Sequence, residues 1–205
     1  MRIAIIVEGD TERAFRPYLS AFLRSRLQER MPFLDFISQD GHIPTRGKLK
    51  RVVNNLLRDR SRLADHVIAL TDVYTGIHPP EFQNARDAKA KMREWVGEES
   101  RFHPHAAQYD FEAWLLPYWP TIQHMAGHNR TAPSGNPELV DHDKPPAYRI
   151  KEIFEIGSCR DSYVKPRDAA RILSKNDLST AIDQCSELKA FVNTILEVCG
   201  GAIVP

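Results

Sequence analysis

The sequence predicts an α/β fold: a small, mostly parallel sheet flanked by helices, with a helical C-terminal region packed on it. Three observations carry this. The runs Ile3-Ala4-Ile5-Ile6-Val7 and His66-Val67-Ile68-Ala69-Leu70-Thr71 are apolar almost without interruption, as strands covered on both faces are. Segments with helical spacing separate them, so strand and helix take turns along the chain. From Ala147 to Cys199 only short helical patterns remain.

The elements follow in order. The first run is a strand that stops at Glu8-Gly9-Asp10-Thr11-Glu12, where Asp10 or Thr11 can cap a helix by accepting from its unpaired N–H groups. Phe15, Tyr18, Leu19, Phe22, Leu23 and Leu27, spaced by three and four, give that helix one buried face, and Pro32 ends it. Phe33 to Ile37 reads as a second strand, Asp40-Gly41 turns the chain, and a second helix spans about Lys48 to Arg62. The third strand ends at Asp72. Gly76 and Pro79-Pro80 make a loop before a polar helix over roughly Phe82 to Val96. A fourth strand over Phe102 to Tyr109 delivers Asp110-Phe111-Glu112 to a helix beginning Ala113-Trp114-Leu115-Leu116, which Trp114 is expected to lock into the sheet. Pro117 to Pro146, rich in Pro, His, Asn and Gly, shows no periodicity and is expected to be an irregular loop or insertion.

A chain of 205 residues has room for one ordinary domain with an appendage. The division expected here is an α/β core over 1–120, an insertion over 121–146 and a helical part over 147–205. At 42% hydrophobic and 27% charged residues, disorder and fibrous architectures are excluded. No apolar run reaches the ~18 residues of a membrane span. Met1-Arg2 leads into an apolar run that ends at an acid with no small-residue cleavage site, so a cytoplasmic protein is expected, with Cys159, Cys185 and Cys199 as reduced thiols. Lys and Arg (28) nearly balance Asp and Glu (27), so any attraction to nucleic acid has to come from local patches.

Three strands finish at acids: Glu8, Asp72, and the Asp110/Glu112 pair. Carboxyl ends of parallel strands share one edge, where ligands usually bind, so acids far apart in sequence would converge there. Clustered carboxylates repel, and a hard cation such as Mg²⁺ or Mn²⁺ removes that penalty. The plainer reading is that Glu8 and Glu12 simply favour a helix N-terminus by charge–dipole attraction, worth about 0.3–1 kcal/mol.

The order Val7-Glu8-Gly9-Asp10-Thr11-Glu12, Thr71-Asp72-Val73-Tyr74 and Tyr109-Asp110-Phe111-Glu112-Ala113-Trp114-Leu115-Leu116 resembles a group of Toprim-like proteins. Specifically it is similar to domain-of-unknown-function family 4276, related to the Toprim nuclease domains of OLD (overcoming lysogenisation defect) proteins. The likeness continues through Pro145 to Ile150, Tyr163-Val164-Lys165 and the segment from Cys185 to Phe191. It implies a Toprim fold and Mg²⁺- or Mn²⁺-dependent hydrolysis of phosphodiesters, DNA before RNA. Glu8 takes the role of metal ligand or general acid/base. Glu12, Asp72 and Glu112 become further ligands, with Asp110 ranked behind them, and Lys165 matches the lysine that OLD-type nucleases use beyond their metal motifs. Where Toprim enzymes carry Asp-x-Asp, this chain has Asp72-Val73-Tyr74, and a protonated phenol is a poor Mg²⁺ ligand. The resemblance also implies a separate ABC-class ATPase subunit as partner and a role in defence against phage. The contrasting expectation is a non-catalytic Toprim-shaped subunit that docks on the ATPase and keeps a degraded acidic site.

Candidates for contact with the nucleic-acid backbone are Arg46, Lys48, Arg51, Arg58 and Arg62 in the densest basic stretch, together with Arg149 and, further along, Arg167. Arg51, Arg58 and Arg62 share one helical side. His103-x-His105 and His124-x-x-x-His128 are weak metal signals; the second spacing suits two ligands on a helix, but no glutamate sits beside His124 and the surrounding chain is a poor helix, so zinc is not expected. The apolar tail Gly200 to Pro205 can pack back on the domain or dock in another subunit of an oligomer.

Overall fold

The computed structural model describes residues 1–39, 41–58, 63–74, 80–139, 144–159 and 162–205. Its strands are β1 (Arg2–Val7), β2 (Phe33–Ser38), β3 (His66–Asp72) and β4 (Phe102–Ala107). Its helices are α1 (Asp10–Leu27), α2 (Arg46–Arg58), α3 (Ala85–Val96), α4 (Trp119–Ala126), α5 (Pro146–Ile156), α6 (Lys165–Ser174), α7 (Leu178–Gln184) and α8 (Ser186–Val198). The four strands form one sheet in the order β2-β1-β3-β4, and every pairing is parallel. The α/β class with a helical C-terminal region therefore holds.

The unbroken apolar runs are explained by burial from two sides. Ile3, Ile5 and Val7 of β1 and Ile68 and Leu70 of β3 belong to a core shared with α1 and the C-terminal helices. Ala4, Ile6, Val67 and Ala69 point the other way, against Leu49, Val53 and Leu57 of α2 and Ala88 and Met92 of α3. Trp114, 2% exposed, anchors the larger core. Its ring lies 5.3 Å from that of Phe111 and 6.2 Å from those of Phe15 and Phe191. Its Nε1 donates to Glu138 Oε1 at 3.1 Å. The tail packs back on its own domain: Asn193 accepts from Val204 N (2.8 Å) and donates to Val204 O (2.9 Å).

Several boundaries differ from the sequence reading. The segment expected to be irregular from Pro117 begins with a helix, α4, whose buried residues Trp119, Ile122 and Ala126 are spaced by three and four. Pro120 sits in its first turn, where a missing N–H costs nothing, so it starts the helix instead of breaking it. The motif Phe111–Tyr118 is a 3₁₀ helix leading into α4. The polar helix starts at Ala85 and not at Phe82, because Asn84 caps it by accepting from Asp87 N at 2.9 Å. At α1 the cap position belongs to Gly9, with neither Asp10 nor Thr11 serving; Gly9 N donates to Glu12 Oε2 at 3.2 Å. Residues 59–62, the expected end of α2 including Arg62, lie outside the described residues, as does Asp40.

Candidate active site

In an open sheet of order 2-1-3-4 the connections run to opposite sides between β1 and β3, and the crevice at the carboxyl ends of those two strands is where ligands bind. Glu8 immediately follows β1 and Asp72 closes β3. They meet: Asp72 N donates to Glu8 Oε1 at 3.0 Å, and the Thr71 hydroxyl donates to the same oxygen. Beyond β4 the chain is tied to this edge by Tyr74 N donating to Tyr109 O at 2.6 Å. Tyr109 takes φ +73°, a left-handed conformation unusual for a residue with a side chain, and so turns Asp110 and Glu112 under the edge.

Glu112 is fully buried and held from α6 and the segment before it. Tyr163 OH donates to Oε1 at 3.2 Å and Lys165 Nζ to Oε2 at 3.1 Å. Asp110 is 3% exposed; Oδ2 accepts from Ala147 N at the start of α5 (3.1 Å), while Oδ1 is buried without a hydrogen-bond partner among the described residues.

The electrostatics identify these groups as one constellation. Burial pushes the Asp72 carboxyl well above the usual range, and repulsion from Glu8, Glu12, Asp110 and Glu112 pushes the same way. Glu8 is raised from 4.5 to about 7, mainly by burial, against the opposing hydrogen bonds from Thr71 and Asp72. Asp110 is pushed up to about 8 by burial and by Glu112. Burial and the charge of Glu112 likewise raise Glu12. Burial works against the Lys165 ammonium, but attraction from Glu112, Asp110 and Asp72 overcomes it and raises its proton affinity. Five carboxylates thus surround one ammonium, an excess of negative charge that protons or a hard cation must relieve.

The chemistry of this donor set, all carboxylate oxygen, fits Mg²⁺ or Mn²⁺. Among the described residues no group of three His, Cys, Asp or Glu side chains stands where it could hold a metal ion. The carboxylates are engaged within the protein instead: Glu8 accepts from Thr71 and Asp72, Glu12 from Gly9, and Glu112 from Tyr163 and Lys165.

The basic candidates divide. Arg46, Lys48, Arg51 and Arg58 line the exposed side of α2, and none forms an ion pair with a described acid. The loop leading to α2 is pinned beside the acids by Gln39 N donating to Val7 O (2.8 Å) and Gly41 N to Glu8 O (3.1 Å). Arg149 keeps a buried Nε without a hydrogen-bond partner among the described residues. Arg167 is committed elsewhere, gripping Asp168 through two contacts of 2.9 Å. Sequence reasoning gave no role to Thr71 and Tyr163, which position Glu8 and Glu112, nor to Glu138. The sequence signal for the first two was their place in the motifs Thr71-Asp72-Val73-Tyr74 and Tyr163-Val164-Lys165.

A parallel open sheet with carboxylates gathered at its switch point defines the class, an α/β protein with an acidic site at the strand ends. The same fold occurs in the C-terminal region of the Burkholderia pseudomallei OLD protein, at TM-score 0.55 and 15% identity over 97% of this chain and 98% of that one. The C-terminal region of the Xanthomonas campestris pv. campestris OLD protein aligns at TM-score 0.46 and 14% identity, over 96% of each chain. No curated protein matches the sequence. The family described as domain of unknown function DUF4276 matches residues 7–196, and the chain belongs to it.

Proposed function

We propose that this protein is a divalent-metal-dependent nuclease that hydrolyses nucleic-acid phosphodiesters, with DNA as the expected substrate. The observation that carries the reading is the convergence of Glu8, Glu12, Asp72, Asp110 and Glu112 around Lys165 at the switch point of the sheet. These carboxylates would hold Mg²⁺ or Mn²⁺, which when bound supplies Lewis acidity and an activated water. Glu8, with a proton affinity near neutral pH, is suited to take a proton from the attacking water. Lys165, which pairs with Glu112, would offset the negative charge that builds on the phosphate, and Arg149 would be a second donor. The exposed cations of α2 would hold the backbone as it leads into the crevice.

Cleavage of plasmid and linear DNA with Mg²⁺ or Mn²⁺, compared between wild type, Glu8→Ala and Asp72→Ala, tests this. Loss of cleavage in both variants supports the reading, and unchanged cleavage in both overturns it. The contrasting reading, a non-catalytic subunit, has its own observation: Tyr74, 43% exposed, stands where a second aspartate would complete the motif. Under either reading we expect a cytoplasmic protein with a separate ABC-class ATPase as partner, acting in defence against phage. Among the described residues no helix is long and apolar enough to cross a membrane.

A further inference from the structure

The histidine the sequence paired with His105 finds a different partner. His103 on β4 and His66 at the start of β3 stand with Nε2 and Nδ1 3.1 Å apart and ring centroids separated by 5.2 Å. The register that opposes Ile68 to His103 puts both rings on the α8 side of the sheet, at the end away from the acids. Six residues of strand, about 20 Å, separate His66 from Asp72.

We infer that His66 Nδ1 and His103 Nε2 form a two-histidine site for a borderline divalent metal ion, Cu²⁺ or Zn²⁺, separate from the carboxylate cluster. The bite is right: with metal–nitrogen bonds of about 2.0–2.1 Å, nitrogens 3.1 Å apart subtend roughly 95–102°, between the square and tetrahedral angles. Both rings are only partly buried, so an ion can reach them. Both are neutral at pH 7, the ligating form, because burial lowers His66 and takes His103 down to about 4. Asp65 beside His66 attracts a cation, while Arg101 and Arg93 oppose it, so affinity comes from the nitrogens and not from net charge.

Without metal, one ring's N–H donates to the other's lone pair. On binding, that proton moves to the second nitrogen of the same ring, both lone pairs go to the ion, and two of its waters leave. No electron changes hands. Imidazole nitrogen excludes Mg²⁺ and Ca²⁺, which prefer oxygen, and places Cu²⁺ ahead of Zn²⁺. Among the described residues no group of three His, Cys, Asp or Glu side chains could hold the ion, so its remaining positions go to water or to an incoming ligand.

Calorimetric titration of the full chain with Cu²⁺ and with Zn²⁺, repeated on His66→Gln and His103→Gln, tests the site. His124→Gln is the control for adventitious surface binding. The expected result is one saturable equivalent that each of the first two variants weakens at least about tenfold and the control leaves unchanged. Ring-nitrogen NMR of the wild type with Zn²⁺ should shift His66 Nδ1 and His103 Nε2. Circular dichroism checks that the variants stay folded, and if either unfolds, the NMR shifts decide. Absence of binding at millimolar metal, equal binding by folded variants, or shifts confined to other histidines would overturn the inference.

Discussion

Replacing Glu8 with Gln tests the electrostatic account of the site without disturbing its shape. Glu8 is 8% exposed, and the amide oxygen of Gln can still accept from Asp72 N and Thr71. The native carboxyl binds its proton at about 7 against 4.5 in the unfolded chain. A carboxyl raised in this way favours folding while protonated. Its contribution is fully present below pH 4.5 and is lost as pH rises to about 7. Tenfold in proton affinity is worth about 1.4 kcal/mol, so keeping Glu8 ionised above pH 7 costs at most about 3 kcal/mol. With divalent ions chelated, Glu8→Gln should therefore be more stable than wild type at pH 8 by up to about 3 kcal/mol, roughly 6–12 °C in melting temperature. At pH 5 the difference should narrow to within about 1 kcal/mol. Adding Mg²⁺ at pH 8 should stabilise the wild type and leave the variant little changed. Urea denaturation at the two pH values, with and without Mg²⁺, measures all of this. A variant less stable than wild type at pH 8 in chelator would refute the reasoning, because Glu8 would then be stabilising as an anion.

Three other outcomes are expected. Lys165→Met removes the cation from fully buried Glu112 and should destabilise by about 1–2 kcal/mol, less than a fully buried pair because the lysine side chain is half exposed, and more at pH 8 than at pH 6 by urea denaturation. Lys48→Ala combined with Arg51→Ala should lower the slope of log affinity against log salt for duplex DNA by roughly 1.8, read by fluorescence anisotropy, without shifting the melting temperature. Glu138→Ala leaves Trp114 Nε1, Ser186 Oγ and Glu187 N without their acceptor and should cost about 2–4 kcal/mol, read by thermal or urea unfolding.

The sheet and the placing of the acids were legible because both depend on local patterns. A strand covered on two faces needs an unbroken apolar run, and Glu8, Asp72 and Asp110 each stand at the end of one segment of chain. What could not be read depends on contacts between distant segments. Thr71 meets Glu8 across 63 residues and Tyr163 meets Glu112 across 51, and nothing local to either hydroxyl announces it. His66 and His103 become neighbours only once β3 and β4 are in register. Glu138 lies in a stretch whose composition reads as a loop, yet it is 3% exposed and caps α8 through Glu187 N. The same composition hid α4, since Pro120 counts as a breaker until its position within the helix is known.

The carboxylates belong to residues 8–112, whereas the ammonium that offsets them rides on the first turn of α6, at residue 165. A nascent chain leaving the ribosome therefore carries its acids well before the group that completes their arrangement. The constellation of acids and ammonium is complete only after α6 has been translated and has docked beside the sheet edge, so its charge balance is the last feature of the site to form.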